Sequence, residues 1–504
     1  MTPDSWQHTK IVCTLGPATD APGVLEGLTS AGMDLARINL SHGVPDEHAR
    51  RIQRVREISR NLGRPVGILA DLPGPKFRLG EIPGGSRELP AGAQVYLAKA
   101  ASAPNVLPVR QHALLAALRA GESVHLADGA IRLVVKTPAA DQVECEVLAG
   151  GTVRSGSGVN VPELQLPGLV PTERDRMCLA FAVSQAVDWI GVSFVQGADD
   201  LTRVRACLVD TCTPLLIAKI EKRAALAALD SIVEAADAIM VARGDLGVET
   251  DLAEIPLIQK RIIAAANAKG RPVVTATQML ESMVEHTRPT RAEVTDIANA
   301  VLDGTDAVML SAESAIGRNP VAAVAILRRV IVATQAEYAA TIAQARLAAA
   351  VSADEALAFA ACQLAGQLDA RAIIVQARNL RQVAAIARFR PRAPIVALTD
   401  SSMVWGSLTL VSGVSPLCVP SQTDAQACIA RARDWLYEHA LARPGEQAVA
   451  LSASAGAETT VDTLQVVRLL DPGAVVPLSL TAINARPQQN GRVHHDENGE
   501  RADP

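Results

Sequence analysis

The sequence predicts an α/β protein: a (β/α)8 barrel with an inserted small all-β domain and an open α/β domain at its C-terminal side. Three observations lead there. The chain has 504 residues, room for about three domains of roughly 100 to 200 residues each. Before residue 312, eight short β-branched or apolar runs alternate with helix-length stretches. That is the pattern of parallel βα units, and eight of them match a closed barrel better than an open sheet. The regularity breaks once, between the third and fourth runs, where about a hundred residues turn Gly- and Pro-rich and strand-like.

The eight runs are Lys10 to Leu15, Asp34 to Leu40, Val66 to Asp71, Trp189 to Phe194, Leu215 to Lys219, Ile239 to Ala242, Val273 to Ala276 and Ala307 to Leu310. Within the insert, Gln94 to Ala98, Ser123 to Leu126, Ile131 to Lys136 and Gln142 to Val147 alternate as strands. Thr172, followed by acidic residues, is the expected N-cap where the chain re-enters the barrel, and Thr290 with Glu293 has capping-box spacing. An Ala-rich stretch from Pro320 to about Ala350 reads as the helix that leads out of the barrel. Beyond it, strands are expected at Ala372 to Gln376, Pro394 to Leu398, Pro416 to Val419, Gln447 to Leu451 and Thr463 to Leu469, among helices. The division predicted is 1–72 with 172–350 for the barrel, 73–171 for a small inserted β-barrel, 351–484 for the α/β domain and 485–504 for a disordered polar tail.

Composition narrows the function. With 49% hydrophobic residues, 20% charged residues, a net charge of −5 and no extended Lys or Arg block, the chain has no electrostatic footprint for nucleic acid or an anionic membrane. Eight cysteines without a CxxC pair read as buried thiols of a reducing compartment. No secretory pattern opens the sequence and no apolar run approaches ~18 residues, so a cytoplasmic location is expected. Only 8 of the 48 basic residues are lysines, which makes a lysine at a strand end informative.

Chemistry in this barrel class belongs at the C-terminal ends of the strands. Arg37, Asn39 and Ser41 alternate along the second, Asp71 ends the third, and Lys219 and Glu221 share a face at the fifth. The sixth runs into Arg243, Gly244 and Asp245, the seventh into Thr277, and the eighth into Ser311 and Glu313. Ion pairs plugging the barrel mouth would account for any one of these residues, but stability alone does not concentrate such groups at five strand ends. Glu221 and Asp245 offer hard oxygen ligands suited to Mg2+. The backbone amides at Gly244 and Asp245 can approach a substrate carboxylate, while Lys219 and Arg37 can neutralise a phosphoryl group or an enolate oxygen. Neither a GxxxxGK[ST] loop nor a GxGxxG before a helix is present, so any nucleotide is held by another device.

Residues 9 to about 350 carry TKIVCTLGP from Thr9, GMDLARINLSHG from Gly32, KIE from Lys219, MVARGDLGVE from Met240, ATQMLESM from Ala276 and PTRAEVTDIANAVLDGTDAVMLSAE from Pro289. In these motifs the chain resembles the pyruvate kinases. The resemblance implies a cytoplasmic, tetrameric, Mg2+-dependent enzyme that moves a phosphoryl group from phosphoenolpyruvate to ADP. It implies Mg2+ on Glu221 and Asp245, and phosphoenolpyruvate against Arg37, Lys219, Gly244, Asp245 and Thr277. Lys219, Arg37 and Thr277 would be catalytic, with Thr277 near the carbon that takes the proton. ADP would lie near Asn39, His42 and Arg78, under the inserted module as a lid.

The match departs from the family in three places. After the third strand the family's usual Asp-Thr-Lys-Gly-Pro-Glu is here Asp71-Leu72-Pro73-Gly74-Pro75-Lys76. Lys76 resembles the potassium-independent branch, in which a fixed ammonium replaces K+; Asn39, Ser41 and Asp71 are the K+ ligands if that site is retained. Ser157 and Ala127 stand where the family commonly has a lysine and an acidic residue, with Arg154 close in sequence. The loop from Gln376 to Arg381 has no hydroxyl to cap a phosphosugar effector. Two other readings are a regulatory paralogue with weakened catalysis and a Mg2+-dependent aldolase or lyase of pyruvate-enolate chemistry.

Overall fold

The computed structural model describes residues 6–101, 103–162, 164, 168–208, 213–344, 352–421, 423–452, 463–470 and 477–478. Eight parallel strands close a barrel in sequence order: Lys10–Thr14, Leu35–Asn39, Gly67–Asp71, Trp189–Val192, Leu215–Ile220, Ala238–Ala242, Val273–Ala276 and Ala307–Leu310. No end differs from its predicted position by more than two residues. The inward positions repeat every second residue, as the pleat requires. Val12, Leu35, Leu69 and Ile217 belong to one apolar interior cluster. Two positions further along the same strands stand Thr14, Arg37, Asp71 and Lys219, so the layer above that core is polar and charged.

Helices on the outer wall follow ordinary capping rules. Pro45–Leu62 begins with Pro45 and stops at Gly63, whose φ of 59° is the left-handed conformation that glycine adopts cheaply. Thr172 and Thr290 cap their helices through boxes with Asp175 and Glu293. The long helix is Pro320–Gln344; its expected continuation to Ala350 lies outside the described residues, as does the tail 485–504.

The inserted module carries a seven-stranded sheet in the spatial order Phe77–Arg78, Gly158–Asn160, Ser123–Leu126, Ile131–Thr137, Gln142–Ala149, Gln94–Ala98, Val106–Pro108, beside a ribbon of Ser86–Leu89 and Gly151–Arg154. Its two edges meet at a bridge between Leu79 and Val109, where Gly80 N–H donates to Pro108 O at 2.7 Å. The chain's last sheet has six strands, ordered Val414–Cys418, Ile395–Thr399, Ile373–Gln376, Gln447–Ser452, Thr463–Arg468, Pro477–Leu478. The first four run parallel and the last two pairings are antiparallel.

This last unit plugs the barrel's lower end. Leu408, Leu410 and Val411 share the apolar cluster of the barrel interior, and Lys10 Nζ donates to Val414 O at 2.8 Å. A Cβ on Gly406 would fall 1.7 Å from Asp188 Oδ1 and one on Gly67 2.2 Å from Thr409 Oγ1, so the approach depends on glycine at both positions.

Asp188 sits in that seam, with Oδ2 accepting from Ile68 N–H at 2.7 Å. Desolvation there pushes its carboxyl up from 3.8 to about 7, against the Ile68 hydrogen bond and the Arg56 charge. A carboxyl raised in the folded state contributes stability that is present in full below about pH 4 and lost as pH rises through about 7. The loss is at most roughly 4 kcal/mol, and less because part of Asp188 stays open to solvent. Asp188→Asn keeps an acceptor for Ile68 and should flatten this fall in melting temperature between pH 5 and pH 8. An unchanged pH profile would exclude Asp188 as its source.

Candidate active site

The charged layer is one connected group. Lys219 Nζ lies 2.8 Å from Glu221 Oε1 and 3.2 Å from Asp71 Oδ1, and donates to Ser193 Oγ at 2.7 Å. Its contact with Asp71 is ionic rather than an aligned hydrogen bond, since that oxygen has no hydrogen-bond partner. Arg37 holds the other Asp71 oxygen, through Nε at 2.7 Å and Nη2 at 2.6 Å, and donates from Nη1 to Thr14 Oγ1 at 2.9 Å. Glu221 Oε2 accepts from Phe194 N–H at 2.7 Å. Gly191 makes this possible, because a Cβ there would come within 2.9 Å of Asp71 Oδ1.

Buried Lys219 and part-buried Arg37 face two buried carboxylates, an arrangement that survives desolvation only because it is paired. Burial works against the charged form of Lys219, but Asp71 and Glu221 outweigh it and hold the amine above its usual range. Burial likewise opposes ionised Asp71, and Lys219 and Arg37 prevail, leaving that carboxyl below its ordinary value. Glu221 goes the other way: burial pushes it up and the charge of Asp245 adds to the rise, with Lys219 opposing. Asp245 is therefore close enough for its charge to be felt at Glu221.

A second group forms where strands six and seven end. The seven-residue helix Arg243–Glu249 starts directly after strand six. Gly244 N–H donates to Thr277 Oγ1 at 2.9 Å, and Asp245 Oδ1 pairs with Lys76 Nζ at 3.1 Å. Thr277 and Gln278 have φ of 66° and 60°, left-handed values that a β-branched residue adopts only when its surroundings impose them. Arg243 braces this turn: it is buried, donates to the carbonyls of Ala276 and Thr277, and pairs with Asp296. Glu313, fully buried, accepts from Leu280 N–H at 3.1 Å and Ser311 N–H at 2.7 Å, so it anchors the loops beneath the site.

A family model described as pyruvate kinase, barrel domain, matches residues 6–324, and one described as pyruvate kinase, alpha/beta domain, matches residues 355–467. The chain belongs to the pyruvate kinase family. It is 38% identical over 474 residues to a pyruvate kinase of Geobacillus stearothermophilus, covering 92% of this chain and 80% of that one. It is 40% identical over 450 residues to a pyruvate kinase of Methylorubrum extorquens, covering 88% and 93%. A crystal structure of a pyruvate kinase from Cryptosporidium parvum superposes with a TM-score of 0.85 at 33% identity, covering 93% of this chain and 97% of that one. Like the rest of the pyruvate kinase family, the protein is a phosphotransferase, and no finding favours the lyase or paralogue readings.

Against the expectations from sequence, Arg37, Asp71, Lys219 and Glu221 come together, as do Gly244 with Thr277 and Asp245 with Lys76. The Gly244 N–H, expected to approach a substrate carboxylate, here donates to Thr277, because the left-handed turn carries that hydroxyl over the start of the helix. Ser41 is not on the strand, which ends at Asn39; its N–H turns back to Asn39 Oδ1 at 3.1 Å. His42 is lowered by burial and by Arg78, Arg174, Arg37 and Lys76, so it lies in a cationic part of the cleft. Arg78 donates to Gly156 O at 3.0 Å, and Arg154 is exposed on the outer ribbon. Among the described residues no cluster of three or more His, Cys, Asp or Glu side chains is arranged to hold a metal. A divalent ion would draw on two carboxylates and complete its shell from substrate and water, which suits Mg2+, and Glu221 with Asp245 fit that need.

Sequence reasoning missed Ser193 and Gly191, and placed Arg243 at a strand end without a role. A conspicuous arginine preceded Gly244 in the MVARGDLGVE motif, but nothing in one dimension shows that it grips the backbone of strand seven.

Proposed function

We propose that this chain transfers the phosphoryl group of phosphoenolpyruvate to ADP and protonates the resulting enolate to pyruvate, using Mg2+ held by Glu221 and Asp245. The observation that carries this is the Lys219 ammonium, buried at the barrel mouth and held charged by Asp71 and Glu221. A fixed cation in a site shielded from water stabilises charge that develops on a phosphoryl oxygen or an enolate at no cost in reorganisation. Arg37, aligned by Asp71 and Thr14, supplies a second cation to the same substrate. Mg2+, when bound, would act as a Lewis acid on phosphoryl and enolate oxygens. Thr277 Oγ1 accepts from Gly244, so its own proton is not used in that bond. The hydroxyl can hand a proton through water toward the enolate carbon. A substrate carboxylate would compete with Thr277 for the Gly244 amide.

ADP is proposed to lie between the barrel and the inserted lid, residues 73–171, near Asn39, His42 and Arg78, where cations gather. Independence from K+ belongs to the same reading. Both oxygens of Asp71, a K+ ligand if that site exists, already face Arg37 or Lys219, and Lys76 adds a fixed ammonium at Asp245. A homotetramer is proposed too; Leu252 and Leu257, 76% and 68% exposed just beyond the helix Arg243–Glu249, offer apolar contact area that sedimentation can test. A cytoplasmic location is proposed as well; among the described residues no helix is long and apolar enough to cross a membrane.

A lactate-dehydrogenase-coupled assay with phosphoenolpyruvate, ADP and Mg2+ tests the reaction; chelation of the metal should abolish turnover. Replacing K+ by tetramethylammonium should change the rate by less than about tenfold, because the charge is supplied within the chain. A larger fall would overturn K+ independence, and ligand binding without pyruvate would favour the paralogue.

A further inference from the structure

Lys222 and Glu249 form an ion pair outside the charged group described above, only 8% and 4% exposed, with Nζ 2.7 Å from Oε1. Lys222 Nζ also lies 3.4 Å from both Asn160 Oδ1 and Val161 O, on the inserted module. Asn160 is paired across strands with His125, and His125 Nδ1 is 3.0 Å from Val248 O. The module thus rests on the last two residues of the helix whose beginning carries Gly244 and Asp245. Glu221 and Lys222 are consecutive, and extended backbone at Lys222 (φ −113°, ψ 144°) sends their side chains opposite ways, one to the cleft and one to the seam. A buried Lys–Glu pair adds little net stability over an apolar pair of the same size, so its value lies in direction and register.

We propose that Lys222, Glu249, Asn160 and His125 form a latch that seats the inserted module on the helix Arg243–Glu249, making them positioning residues for the nucleotide. This rests on the phosphoryl transfer proposed above. The latch touches neither Lys219 nor Arg37. It fixes the distance between the module that carries Arg78 and the helix that carries Asp245, and therefore the width of the cleft that ADP would enter.

The test compares His125→Ala, Asn160→Ala and the double variant Lys222→Met with Glu249→Gln, which removes both charges together and strands neither. Expected are unaltered circular dichroism, amide exchange about tenfold faster in the strands Ser123–Leu126 and Gly158–Asn160, and a KM for ADP raised about tenfold, with KM for phosphoenolpyruvate and kcat changed less than about threefold. Lys222→Arg, which keeps a cation against Glu249, should leave the KM for ADP at the parental value. Unchanged exchange in these strands overturns the latch, and an unchanged KM for ADP, or equal losses for both substrates, overturns its positioning role. The exchange measurement needs no turnover, so failure of the phosphoryl-transfer reading would show separately, as an inactive parent enzyme.

Discussion

Lys219→Met should lower kcat for pyruvate formation by roughly a thousandfold or more, the scale expected when a preorganised charge is withdrawn from a transition state. The ammonium is the group that Asp71, Glu221 and Ser193 jointly hold, and methionine fills its space without charge. Arg37 still neutralises Asp71 in the variant, but Glu221 loses its cation and keeps only the Phe194 N–H. Removing one member of a buried pair costs about 3 to 5 kcal/mol, so the melting temperature should fall too. Single-turnover rates on folded protein below that temperature separate the two effects. Near-normal turnover would remove Lys219 from the mechanism.

Arg243→Met should cost about a hundredfold in kcat although Arg243 is proposed to touch no substrate. Its guanidinium donates to Ala276 O at 3.3 Å, to Thr277 O, and from Nη1 to both oxygens of Asp296 at 2.7 Å. These bonds hold Thr277 in a left-handed turn that places its hydroxyl on Gly244 N–H. Without them both carbonyls lose a donor, at about 1 to 3 kcal/mol for a group left unsatisfied, and the turn is free to relax. Lysine is not expected to rescue, because a single ammonium cannot span carbonyls and carboxylate as a planar fork does. An Arg243→Lys enzyme with parental kcat would show that the turn is held by something else.

Much of the barrel could be read in advance because a strand's period is two. The alternation that sends Leu35, Leu69 and Ile217 into the core also sends Arg37, Asp71 and Lys219 to the mouth, and both facts are written in consecutive residues. Glu313 shows the limit of that logic: it follows the eighth strand, in the short helix Ala312–Ala315, and instead of facing the mouth it is wholly buried as an anchor for Leu280 and Ser311. The module was less legible. Ser86–Leu89, Val106–Pro108, Gly151–Arg154 and Gly158–Asn160 are strands of three or four residues, too short for alternation to register, and only pairing with distant partners stabilises them.

What the sequence determined by itself was therefore the set of local elements and the kinds of charge delivered to one end of the barrel. The tertiary structure alone decided which charge meets which: Lys76 with Asp245, Ser193 with Lys219, Lys222 with Glu249 and Asn160, Arg243 with the carbonyl of Thr277. The physical reason is range. A strand's alternation is fixed by sterics between neighbouring residues, whereas an ion pair depends on where closure of the barrel and docking of the module bring chain segments that lie far apart in sequence.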